Sequence, residues 1–166
     1  MRLVIAIVGA MLLVSLVVLP CSAFTIDNLT ISVMKDGNAT ITLNYTLSIL
    51  EEIVAFFKVV NPEQEIHTAV ESASGKSADV QSVSGNSMVF IVPGYATTTQ
   101  AGGTTTQTTP MLNFTKTQDY LQSQWWSWLA SQDLSPTVST VTFSDGFTQQ
   151  YDNVLVIPSI VHALSG

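Results

Sequence analysis

Glu63, His67 and Glu71 are spaced by four, so on a helix they fall along one stripe. A histidine flanked by two carboxylates is a ligand set for a divalent ion, the kind of site a metal-assisted hydrolase uses. The competing reading is a solvated helix face opposite Ile66, Ala69 and Val70, the ordinary use of charge at this spacing. Ser74-Gly75-Lys76-Ser77 has the tail of a phosphate-binding loop, but the position of that loop's first glycine holds Val70. It also follows a predicted helix rather than a strand, so a helix stop is the better reading. No Gly-x-Ser-x-Gly elbow occurs, and His162 has no partner nearby in sequence. Cys21 is the only cysteine, which rules out a disulfide framework and a cysteine-based zinc or redox site. No catalytic residue and no cofactor is assigned. Enzymatic activity stays undecided, leaning to none, with the metal-assisted hydrolase as third choice.

Binding chemistry is better represented. Trp125-Trp126-Ser127-Trp128 is an aromatic cluster whose faces could stack on sugars. Leu121, Trp125, Trp128 and Leu129 share helical core spacing, which leaves Trp126 off the stripe as the candidate for an exposed binding patch. Four acceptor sequons are present, at Asn28, Asn38, Asn44 and Asn113. The first three lie within 17 residues, which would place sugars along one face of a single hairpin.

The elements that must position these groups follow from periodicity. Ile26, Ile31 and Val33, then Ile41, Leu43, Tyr45 and Leu47, alternate with Thr, Ser and Asn around Lys35-Asp36-Gly37-Asn38. This predicts an antiparallel hairpin with one wet face. Ser48 with Glu51 makes a capping box for a helix carrying Ile49, Ile53, Phe56, Phe57 and Val60. Asn61-Pro62 opens a second helix that Gly75 ends. Hairpins are predicted again at Ala78–Val92 and Val138–Tyr151, with short strands near Met111–Phe114 and Val154–Ile157. A third helix is expected from Thr117 or Ser123 to about Ser131. Residues 97–109 hold eight threonines, two glycines and no charge, and 96–110 is therefore expected to be a mobile Thr-rich loop, with room for O-linked sugars. The expected fold class is α+β, a mainly antiparallel sheet built from hairpins with about three helices packed on one face.

Composition and the N-terminus bound the setting. Charged residues are 10% of the 166, against about 25% in an ordinary soluble domain. Serine and threonine, 18 and 20 residues, take their place. After residue 23, four lysines face twelve carboxylates, the wrong balance for a nucleic-acid surface. Arg2, the uncharged run from Leu3 to Leu19, Pro20, and small residues at Cys21-Ser22-Ala23 form a tripartite export signal with a cut before Phe24. Residues 1–23 are thus expected to be a signal peptide, or else an anchor crossing the membrane through residues 3–19. Lipidation at Cys21 is a third reading, disfavoured by Pro20. The remainder, 24–166, is expected to be one extracellular domain.

Asp36-Gly37-Asn38-Ala39-Thr40-Ile41, the Ser48–Phe57 helix, Thr142-Phe143-Ser144-Asp145-Gly146 and Ile157-Pro158-Ser159-Ile160 resemble small exported proteins of archaea, methanogens among them, a group without an assigned activity. The resemblance implies an envelope or exterior location and no particular reaction. The expected function is a non-catalytic secreted or cell-surface protein, glycosylated, in envelope assembly or adhesion. Its partners would be envelope components or glycans, not nucleic acid. The alternative is a secreted module that binds carbohydrate or protein through Trp126. Oligomeric state is left open.

Overall fold

Two Asp-Gly turns set the frame of the main sheet. The structure, a computed structural model, describes residues 22–47, 62–123 and 131–165. The first turn joins β1 (Ser22–Val33) to β2 (Ala39–Leu47), and the second joins β9 (Val138–Phe143) to β10 (Thr148–Asp152). Between them lie α1 (Pro62–Ser74), β3 (Asp79–Val83), β4 (Ser87–Val92), β5 (Thr97–Ala101), β6 (Thr104–Thr108), β7 (Leu112–Asn113), α2 (Thr115–Gln122) and β8 (Ser131–Asp133). The chain then runs through β11 (Val156–Ile157) and β12 (Val161–Ala163).

The main sheet has the order β10-β9-β1-β2-β4-β3, with β8 beside the first part of β1. Sequential hairpins supply its antiparallel pairs. β1 also pairs with β8 and β9 in parallel, which draws the C-terminal hairpin against the first strand. One face of this sheet is the core: Leu29, Ile31 and Val33 on β1, Ile41 and Leu43 on β2, Phe90 and Val92 on β4, and Val141 and Phe143 on β9 are buried. Val70 and Ala73 of α1, with Leu112, Phe114, Ile157 and Ile160, belong to the same cluster. Period-two alternation therefore does what it predicts: every second residue enters the core and the others face outward.

A smaller sheet, β12-β6-β5, is pinned to the tip of the first hairpin. Fully buried Gln107 donates from Nε2 to the Met34 carbonyl at 2.7 Å and the Lys35 carbonyl at 3.3 Å. Ala96 N–H donates to the Gly37 carbonyl at 2.8 Å. Gly37 has φ +86°, and a Cβ there would lie 2.5 Å from the Ala96 carbonyl oxygen. Only glycine satisfies both the left-handed backbone and that close approach.

Two expectations need correction. The fold class is not α+β with about three helices: among the described residues twelve strands accompany only two helices, of 13 and 8 residues. The molecule is β-rich. The tract at 96–110 is not a loop but the β5–β6 hairpin, in register from Thr97↔Thr108 to Ala101↔Thr104. Low hydrophobicity pointed to disorder, but threonine is β-branched and fits a pleated strand. Gly102 and Gly103, at φ +58° and +79°, make the turn. Of the predicted third helix, α2 covers Thr115–Gln122 and β8 begins at Ser131, while residues 124–130 lie outside the described residues. The predicted Ser48–Val60 helix lies outside the described residues.

Candidate functional site

Strand register turns the outward residues of the main sheet into rows. Ile91, Thr40, Ser32, Thr142 and Thr148 are successive partners across β4, β2, β1, β9 and β10. Val89, Thr42, Thr30, Thr140 and Gln150 form the next row, and Ser87, Asn44, Asn28, Val138 and Asp152 the third. Neighbours within a row stand about 4.8 Å apart, and rows about 6.8 Å apart, from strand geometry. Of these fifteen positions only Asp152, at one edge of the sheet, is charged; Asp79 of β3, the partner of Ile91, adds a second carboxylate at the other edge. The face is a lattice of short hydroxyl and amide groups with a few β-branched aliphatics. Asn28 and Ser32 are exposed, and Thr30, Thr42, Asn44, Thr140 and Thr142 are half-buried.

Such a surface has definite chemistry. Hydroxyls and amides both donate and accept, so they match a polyhydroxylated or amide-bearing polymer without fixed charge. Threonine rows lose little side-chain entropy on contact, since χ1 is already restricted.

The sequon asparagines divide into two kinds. Asn28 and Asn44 are direct partners in the β1–β2 ladder. Asn38 is built into the first turn: its Nδ2 donates to Asp36 Oδ2 at 2.7 Å, and its Oδ1 accepts from Gly94 N–H at 2.8 Å. Asn113 Oδ1 accepts from Thr115 N–H at 2.9 Å, at the start of α2. The stripe of Glu63, His67 and Glu71 does lie on α1, with two of its members occupied by the chain itself. His67 Nε2 is 2.6 Å from the Ala78 carbonyl, which can only accept, so this nitrogen carries the proton and is closed to a metal. Glu71 Oε1 accepts from Ala78 N–H at 3.0 Å and from Ser77 Oγ at 3.3 Å. Together they staple the chain after α1 back onto the helix. Among the described residues no group of three His, Cys, Asp or Glu side chains could hold a metal ion. The side chain of Glu63 and all of Trp126 lie outside the described residues.

Sequence reading missed a cluster at the second Asp-Gly turn. His162 Nε2 donates to Asp145 Oδ2 at 2.7 Å, Ser165 N–H donates to the same oxygen at 2.9 Å, and Phe147 N–H to Oδ1 at 3.1 Å. The Ser165 amide, the His162 ring and the Phe147 amide hold the Asp145 carboxyl well below the usual carboxylate range. His162 stacks on Phe147 at 4.2 Å and lies 4.9 Å from Phe143. The pair is 17 residues apart with no local motif, so only the fold could reveal it. It clamps β12 to the β9–β10 turn, and no hydroxyl or thiol nucleophile is hydrogen-bonded to His162 among the described residues. Burial pushes the Tyr95 phenol up, a core residue without a polar role in the open face.

No protein-family model matches the chain, and neither the curated proteins nor the solved structures contain a match.

Proposed function

We propose that this chain is a non-catalytic exported protein of the cell envelope or cell surface, and that the open face of its main sheet is the surface by which it adheres to envelope polymer. The observation that carries this reading is the three-row lattice of hydroxyl and amide side chains, with charge only at its two edges, Asp152 on β10 and Asp79 on β3. An ordinary solvated sheet face is kept wet by lysine and glutamate, whereas this one relies on threonine, serine and asparagine. Two features of the N-terminal sequence support export: the apolar run to Leu19 and the small residues before Phe24. The predicted cut falls two residues inside β1, the strand at the centre of the sheet. The cut therefore precedes pairing of β1, and folding follows export on this reading.

Fractionation of the source cells tests it. The protein is expected in the medium or envelope fraction, starting at Phe24, and it should co-sediment with isolated envelope material. Recovery from the cell interior with Arg2 still attached, or from the exterior with no affinity for that material, would overturn the respective half of the reading.

A further inference from the structure

The four sequons are equivalent in sequence, but the fold gives them unequal surroundings. Asn38 is wedged between two chain segments, its amide nitrogen on Asp36 and its amide oxygen on Gly94. Asn113 is half-buried and spends its oxygen on the first turn of α2. Asn44 is half-buried between Asn28 and Ser87 on the neighbouring strands, and the hydroxyl of its sequon, Thr46 Oγ, donates to Asp27 Oδ2 at 2.7 Å. Asn28 alone combines an exposed side chain with an amide and a sequon hydroxyl, that of Thr30, that form no side-chain hydrogen bond among the described residues.

From this we infer that Asn28 is the N-glycan attachment site of the folded protein, and that it excludes Asn44. The two are ladder partners, with Cβ atoms about 5 Å apart. A pyranose ring is about as wide as that gap, so two first sugars would compete for one volume above the sheet. Glycosylation forms a bond from Asn28 Nδ2 to the anomeric carbon of a sugar, with the lipid-phosphate donor of the transferase as leaving group. The nitrogen's lost proton goes to solvent. Neither ladder hydrogen bonds nor core contacts need move, since the side chain already points away from the core. A glycan here stands on the third row and leaves the rows through Thr30 and Ser32 as the bare part of the adhesive face. The inference rests on the proposed export.

Intact-mass and glycopeptide analysis of the protein isolated from the medium or envelope of its own cells tests it. One glycan per chain is expected. Asn28→Gln should remove it, and Asn44→Gln should leave it in place. Thr30→Val, which breaks the acceptor sequence but keeps both the asparagine and the β-branched shape, should give the same loss as Asn28→Gln. Two glycans on one chain, a glycan that survives Asn28→Gln, or exported protein with no glycan would overturn the assignment. The last result leaves the export reading standing. Protein retained inside the cell with residues 1–23 attached overturns the export reading and, with it, the assignment.

Discussion

The two Asp-Gly turns offer a controlled comparison. Gly37 and Gly146 follow an aspartate in hairpins of the same kind, and their φ angles are +86° and +89°. Alanine at either position pays the left-handed penalty, about 1–2 kcal/mol. The surroundings differ. Nothing lies within 4 Å of a Cβ at Gly146, whereas at Gly37 the Ala96 carbonyl oxygen would be 2.5 Å away. That oxygen belongs to backbone held by the Ala96 N–H bond to Gly37, and Ala96 is buried, so it cannot swing aside. Relieving the contact means moving one sheet against the other, an overpacking cost of about 1–3 kcal/mol. Gly146→Ala should therefore lose about 1–2 kcal/mol and Gly37→Ala about 2–5 kcal/mol, in the sum of those terms. Urea denaturation of both variants beside the parent, at equal m-values, reads the difference directly. Equal losses would refute the claim that the first turn is the joint between the two sheets.

Other expectations follow from the same contacts. Gln107→Glu puts a carboxylate where nothing is exposed and removes the N–H groups that serve Met34 and Lys35, so it should cost at least about 3 kcal/mol in denaturant. Gln107→Met keeps the volume, loses those bonds and also removes a buried amide oxygen that has no partner, so it should stay within about 1.5 kcal/mol of the parent. Asp145 titrates lower folded than unfolded, so its stabilising effect is complete above the ordinary aspartate value of about 3.9 and fades as pH falls through the depressed folded value. The stability gap between parent and Asp145→Asn should accordingly be flat from pH 7 to about 5 and shrink in acid, as read from urea midpoints; a gap that widens in acid would reverse the sign. Zinc or calcium should not raise the melting temperature, because His67 Nε2 and Glu71 Oε1 are already engaged by Ala78.

Much of the sheet was legible from alternation. Of the alternating residues of the first hairpin, Ile26, Ile31, Val33, Ile41, Leu43 and Tyr45 are buried, and the second helix begins at Pro62 and stops before Gly75, at φ +66°, as capping chemistry requires. What the sequence could not convey is non-local. Parallel pairing of β1 with β9 depends on closure over more than a hundred residues, and no turn residue announces it. The Thr-rich hairpin misled because its strands gain order from neighbours, through β12 and the buried Gln107, rather than from their own hydrophobicity. The same holds for the open face. Thr30, Thr42 and Thr140 are ordinary outward residues singly, and they become one row only when register aligns three strands.

That row bears directly on adhesion. Thr42→Lys with Thr140→Lys places two cations on either side of Thr30 without touching the core, and Val83→Lys, on the exposed edge strand β3, serves as the control. Titration of isolated envelope polymer against each variant, beside urea unfolding, measures binding and stability separately. At least about a tenfold loss of binding is expected for the double variant at unchanged stability, with the control binding like the parent. Equal binding by the double variant and the parent would contradict adhesion through this row.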